Sequence, residues 1–191
     1  MHPPGCARFH SFIIALLIGF ECVAVALGGI RTIDDTYGDS VTGATPTYSN
    51  AACWNEGPSC SICVSQPDPA QAHNGTWHDT QSNVCSNALS NDTTDHTVMF
   101  TFTGTTLTVY CILVAQGPVT KVTNVTFDLD GDPSTYQSPP SYNASAYGYQ
   151  YNIPVYSRSS LNNTQHTFTM STAQGSPSSP SLLLFDYATY K

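Results

Sequence analysis

The chain has 191 residues, enough for one domain once a leader is set aside. Charged residues make up 9% of it against 40% apolar and 11% aromatic, which excludes both a disordered polymer and a surface of salt-bridged helices. Lys and Arg at 5 positions face 13 Asp and Glu, a formal net charge of −8, so phosphate backbones and anionic lipid headgroups are repelled and nucleic acid is set aside as a partner.

The N-terminus reads as a signal peptide. Arg8 supplies the positive flank, Phe12 to Phe20 the short apolar core, and Ala24-Val25-Ala26 the small-x-small cleavage pattern. Glu21 breaks the apolar run well short of the ~20 residues that span a bilayer. The expected division is therefore a leader over residues 1–26 and one domain over 27–191. Next, Asp34-Asp35-Thr-Tyr-Gly-Asp39 clusters oxygens of the kind hard cations take. Asp34 and Asp35 are the expected ligands of a structural calcium, should one be held. No other cofactor is implied.

Gly38 to Pro67 is rich in Gly, Pro, Ser, Thr and Cys and predicts irregular chain stapled by disulfides. Five cysteines follow the leader: Cys53, Cys60, Cys63, Cys85 and Cys111. Cys111 shares a strand face with Leu107 and Val109 and reads as a buried small hydrophobe. The other four pair in an oxidising compartment, with Cys60–Cys63 and Cys53–Cys85 favoured among three connectivities. His73-Asn-Gly-Thr-Trp-His78-Asp79 offers imidazole and carboxylate donors for zinc, although the spacing is that of no established motif. The plainer reading is a packed Trp77 with His78 and Asp79 bonded to the loop backbone.

Thereafter the chain reads as short strands. His96 to Thr103 alternates, with Val98, Phe100 and Phe102 on one face. Gly104-Thr105 then turns it into Leu107–Val114 as a hairpin. Val122–Leu129 ends at the Asp130-Gly131 turn, whose Asp128, Asp130 and Asp132 are a second, weaker calcium pattern. Pro133 to Ser145 reads as a loop, and Tyr147 to Tyr156 as a strand that Pro154 marks as an edge or bulge. His166–Ser171 and Ser181–Tyr187 complete the set. Strands at this spacing predict an all-β fold, a single antiparallel β-sandwich of jelly-roll type. Sequons at Asn74, Asn91, Asn124, Asn143 and Asn162 agree with a secreted, N-glycosylated protein; a glycan on Asn124 needs the solvent face of its strand.

Several segments recur in order: Arg31-Thr-Ile-Asp34-Asp35, Tyr48, Trp54, Gly75-Thr76-Trp77-His78-Asp79, Phe100 to Tyr110, Phe127-Asp-Leu-Asp130-Gly131, Gln165-His166-Thr-Phe-Thr and Leu184-Phe-Asp186-Tyr187. Over residues 30 to 190 this resembles the ectodomain of a large group of uncharacterised surface proteins of mushroom-forming fungi, itself similar to the galactose-binding-like jelly roll. The resemblance implies fold and location but no chemistry. In many such proteins a polar linker and a membrane helix follow the last strand, so a membrane enters only through an anchor beyond Lys191.

No Gly-x-Ser-x-Gly elbow is present, Cys60-Ser-Ile-Cys63 lacks a βαβ setting, and Glu56 is the single glutamate after the leader, so no catalytic residue is assigned. The leading expectation is a non-enzymatic extracellular binding or adhesion module, with polysaccharide or cell-surface glycans as partners. Tyr147 and Tyr149, with Trp77, are the rings assigned to a ligand, among Tyr136, Tyr142, Tyr151, Asn143 and Gln150. The same tyrosines alternate and equally suit paving a sheet face. A glycosylated structural domain without a small ligand is the first alternative and a secreted hydrolase the second.

Overall fold

The computed structural model describes residues 28–63, 65–82, 84–85, 88–89, 95–115, 122–137, 148–173 and 180–191. The expected leader, the sequons at Asn91 and Asn143, and Tyr142 and Tyr147 lie outside them. In chain order the strands are β1 (Arg31–Asp34), β2 (Gly38–Asp39), β3 (Thr47–Tyr48), β4 (Asn55–Glu56), β5 (His78–Gln81), β6 (Val84–Cys85), β7 (Ala88–Leu89), β8 (Thr97–Gly104), β9 (Leu107–Val114), β10 (Asn124–Leu129), β11 (Asp132–Gln137), β12 (Tyr149–Arg158), β13 (Thr164–Thr172) and β14 (Leu182–Tyr190). Three single 3-10 turns, Ala51–Cys53, Gly57–Ser59 and His73–Gly75, are the helical structure among the described residues.

The strands form a β-sandwich. A seven-stranded sheet runs β12-β9-β14-β1-β2, with β5 on β14 and β4 on β5. A five-stranded sheet runs β11-β10-β13-β8-β3. All pairings are antiparallel. Between the sheets, Val98, Phe100, Phe102, Phe127, Phe168 and Met170 from one side meet Leu107, Val109, Cys111, Phe185 and Ile33 from the other. Each such side chain contributes about 1.5–3 kcal/mol by leaving water. Cys111 is a free, fully buried thiol in this core, and burial holds it in the neutral form.

Two local expectations are corrected. Thr97–Gly104 and Leu107–Val114 are not a hairpin: β8 pairs with β13 and β3, whereas β9 pairs with β12 and β14 in the opposite sheet. The turn at Gly104-Thr105 is a corner between layers. It sets the apolar face of β8 against that of β9 across the core instead of beside it. Gly104 is needed there because a Cβ would lie 2.1 Å from the Lys191 carbonyl oxygen. Second, Pro133 to Gln137 is strand. The Asp130-Gly131 turn folds β11 back on β10, with Asp130 and Gly131 both at positive φ. Pro133 is tolerated because β11 is an edge.

The disulfides join Cys53 to Cys85 and Cys60 to Cys63, the two pairs favoured from the sequence. Among the described residues, no helix is long and apolar enough to cross a membrane.

Candidate functional site

β9 is apolar on both faces, so its outer side also needs cover. Ile112, Val114, Leu182, Leu184 and Trp77 form a second core there, with Ala72, Tyr149 and Tyr151 packed on it. The cover is a strap, the chain from Gly57 to Thr76. Tyr149 accepts the Gln66 N–H on its hydroxyl at 2.7 Å, and Tyr151 accepts that of Asp68 at 2.6 Å. Trp77 is 1% exposed and lies so close under Gly57 that a Cβ on the glycine would fall 1.9 Å from the ring. Of the rings assigned to a ligand from the sequence, Trp77 is therefore beneath the strap and Tyr149 is a fastener of it.

At the end of the strap one edge of β14 is shared by two strands. β5 pairs with Leu182 to Phe185, and β1 with Tyr187 to Tyr190. Asp186 falls at the seam, where the register against β9 also shifts between Phe185 and Tyr187. Such a bulge turns consecutive side chains toward the same face. The Asp186 carbonyl accepts from Asp35 N–H, and its Oδ1 accepts from His73 N–H at 2.9 Å. Its Oδ2 is buried with no hydrogen-bond partner. Burial, with Asp35 and Asp34 nearby, pushes this carboxyl up to about 7, while the His73 N–H pulls it down.

Asp34 and Asp35 complete the seam from the β1–β2 turn, and both are buried. Asp34 Oδ1 accepts from the backbone N–H of Thr36 (2.9 Å) and Tyr37 (2.7 Å), and its Oδ2 from Asn74 Nδ2 (2.8 Å). Asp35 accepts from Thr76 Oγ1 (2.6 Å) and Thr36 Oγ1 (2.8 Å), and its Oδ2 lies 2.7 Å from His78 Nδ1. The two expected calcium ligands thus stand beside each other with their oxygens directed at protein donors.

The residues read as zinc donors face different ways. His78 and Asp79 are consecutive on β5 and so point to opposite sides. His78 stacks on Tyr48 at 4.2 Å, and Asp79 Oδ2 accepts from Asn55 Nδ2 at 3.1 Å. Burial raises Asp79 to about 6 against that hydrogen bond. His73, with 28% of its side chain exposed, stacks on Tyr187 at 4.3 Å, and Tyr187 stacks on Tyr110 at 4.5 Å. Tyr110 and Tyr187 lie on the sheet and His73 in the last turn of the strap, and the three rings form a ladder where the strap ends. Tyr187 donates its hydroxyl to Asn152 Oδ1 at 3.2 Å, with Asn152 held at positive φ. Tyr110, Tyr187, Asn152 and Asp186 were not assigned to a site from sequence, although Tyr110, Asp186 and Tyr187 fall in segments that carry the resemblance. The one available signal was a lone carboxylate inside the apolar run Leu182–Tyr187.

The sequon asparagines Asn74 and Asn162 are exposed. Asn124 is half-buried on the outer face of β10, opposite to Val125 and Phe127. No family model matches the chain, and no curated protein matches it, so the resemblance to fungal surface ectodomains rests on its motifs alone. Among solved structures the chain is similar to the exo-beta-1,3-galactanase from Phanerochaete chrysosporium with galactose, at 16% identity and TM-score 0.39. It is also similar to a variant of that enzyme with beta-1,3-galactotriose, at 17% identity and TM-score 0.36. Each likeness covers 76% of this chain and 29% of the galactanase chain, so this chain spans less than a third of that enzyme. Neither activity nor substrate passes to this chain on such a likeness.

Proposed function

We propose that this protein is an extracellular, non-enzymatic binding module whose ligand is a carbohydrate, taken on the ladder of Tyr110, Tyr187 and His73. The observation that carries the reading is that these half-buried rings stand where the strap stops. They present aromatic edges and phenol oxygens beside the Asn152 amide and the acidic seam. Sugar recognition takes this mixture of apolar edge and fixed polar groups. The two disulfides and the exposed sequons at Asn74 and Asn162 support an extracellular setting.

Binding rather than hydrolysis is favoured because the carboxyls with raised pKa, Asp79 and Asp186, are both buried rather than open to solvent. The hydrogen bonding of Asp34 and Asp35 within the protein favours a second reading, a glycosylated structural domain with no small ligand. A glycan array on the purified domain, wild type beside Tyr187→Ala and Tyr110→Ala, separates the two. Binding of a glycan class that both variants lose supports the ladder. Uniform silence sinks it in favour of the structural reading, and turnover of a bound oligosaccharide would restore the hydrolase.

A further inference from the structure

Three connections meet around His166, near the start of β13: the β10–β11 turn at Asp130-Gly131, the β8–β9 corner at Gly104-Thr105, and the link from β12 to β13 over residues 159–163. The imidazole is buried, with 7% of its side chain exposed. Its Nδ1 lies 2.6 Å from Asp130 Oδ2, and its Nε2 lies 2.8 Å from the Asn162 carbonyl oxygen. Neither partner can donate. A carbonyl has no hydrogen, and the bonds from His166 and from Thr167 N–H hold the Asp130 carboxyl below its ordinary range, so it is ionised. Both ring nitrogens therefore carry a hydrogen, and that species is the imidazolium; a neutral imidazole has one N–H and satisfies one partner. Asp130 has both oxygens on protein donors, Asp128 Oδ1 accepts from Gly131 N–H at 2.8 Å, and Asp132 pairs with Arg158. The weaker calcium pattern read from the sequence is thus turned to protein groups rather than to a cation.

We propose that His166 is a pH-gated clasp, which as an imidazolium ties the β10–β11 turn to the 159–163 connection and on losing one proton lets that connection go. The proton lost to solvent is the one on Nε2, because Nδ1 faces a full negative charge and Nε2 a neutral carbonyl. The lone pair left on Nε2 then meets those of the Asn162 oxygen at 2.8 Å, and attraction turns to repulsion. The connection is built to respond. Ser160 holds a φ of 60°, a left-handed conformation that costs a non-glycine residue and persists only while its surroundings enforce it. Leu161 ties the connection down from the other side, with its N–H on the Thr105 carbonyl at 3.0 Å and its side chain against the core. The charged and titratable groups on the packed elements are Asp128, Asp130 and Asp132 on the turn, Arg158 ending β12, Lys191 at the corner, and Tyr190 behind Phe102. Among them Asp130 acts on the imidazole, and its hydrogen bond, with the Asn162 and Gly104 carbonyls, raises His166 above its ordinary 6.5 against the opposing effect of burial. The clasp is therefore closed below 6.5 and opens as pH rises through the higher value of the folded chain.

The test is an NMR titration of the full domain with isotope-labelled histidine ring nitrogens, in buffer containing a chelator so that no bound cation contributes. At about pH 6 both His166 nitrogens should show the shift of a protonated nitrogen. The ring should then titrate with a midpoint above 6.5. Across that midpoint the protection of Leu161 N–H from hydrogen exchange should fall about tenfold or more, the effect of losing one hydrogen bond from a charged donor, while that of Phe100 and Phe168 holds. Asp130→Asn removes the charge at an exposed position whose positive φ suits asparagine. In that variant the His166 midpoint and the Leu161 step should move to lower pH together. His166→Gln should abolish the step, and Asp130→Asn carries the test if His166→Gln does not fold. A neutral ring at about pH 6 overturns the proposal. So does Leu161 protection that ignores the His166 midpoint, or an Asp130→Asn midpoint that stays where it was.

Discussion

The two sheets solve their outer faces differently. On the five-stranded sheet, β8 alternates between core and solvent, with Thr101 and Thr103 exposed and Phe100 and Phe102 buried. Across from them β13 does the same, with Thr167 opposite Thr101. Threonine suits an exposed strand face, and nothing covers it in the described chain. On the seven-stranded sheet, β9 buries Ile112 and Val114 on the outside as well as Cys111 and Leu113 on the inside. A strand apolar on both faces must recruit a third layer, and an irregular strap held internally by short turns and by Gln66 on the Cys60 and Cys63 carbonyls provides it. The difference shows that the composition of a strand decides whether its outer face needs a further layer. The covered face ends in a seam where rings, an amide and carboxylates come together.

Truncating the anchor of the covered face should have the largest effect. Trp77→Ala is expected to cost about 3–5 kcal/mol in urea unfolding, because the strap and Leu184 both rest on that ring. A loss under 1 kcal/mol would mean the strap does not act as a third layer.

Titration of the seam comes next. The folded carboxyls of Asp186 and Asp79 stand at about 7 and about 6, well above the value near 4 in an unfolded chain. A raised carboxyl adds stability that is complete below the unfolded value and is lost as pH rises through the folded one. Stability should therefore fall between pH 4 and pH 7.5. His166 pushes the same way at the upper end, since its hydrogen bond to Asp130 raises it and its contribution is lost above its ordinary value. Thermal melts across this range should show the decline, and Asp186→Asn should flatten it; an unchanged slope in that variant would place the effect elsewhere.

Loosening the fasteners is a smaller perturbation. Tyr149→Phe and Tyr151→Phe each remove one hydroxyl that accepts a strap N–H, worth about 1 kcal/mol. Hydrogen exchange at Gln66 and Asp68 should speed up while β8 and β13 stay protected. Smallest of all, Thr101→Lys on the open face should move stability by about 0.5 kcal/mol or less. A large loss there would mean that the threonine face is covered after all.

Period-2 alternation and turn residues are local properties, so β8, β10, β13 and β14 could be read directly, as could the burial of Cys111. The disulfides followed from where cysteines fall relative to strands. The partner of each strand is a different kind of information. A hairpin and a corner between sheets use the same Gly104-Thr105, and only the filling of the core between Phe100 and Val109 selects the corner. The strand at Pro133 to Gln137 was hidden because proline and serine signal loop unless an edge receives them. For the site, Asp34, Asp35, His73 and His78 announced themselves by chemistry, but Asp186 and Tyr187 lay inside an apolar run. They became a seam only because β5 and β1 meet on one edge of β14. Residue types and spacing alone determined a disulfide-stapled all-β chain of low charge; long-range packing decided which sheet face is covered, where the cover ends, and so which rings stay half-exposed.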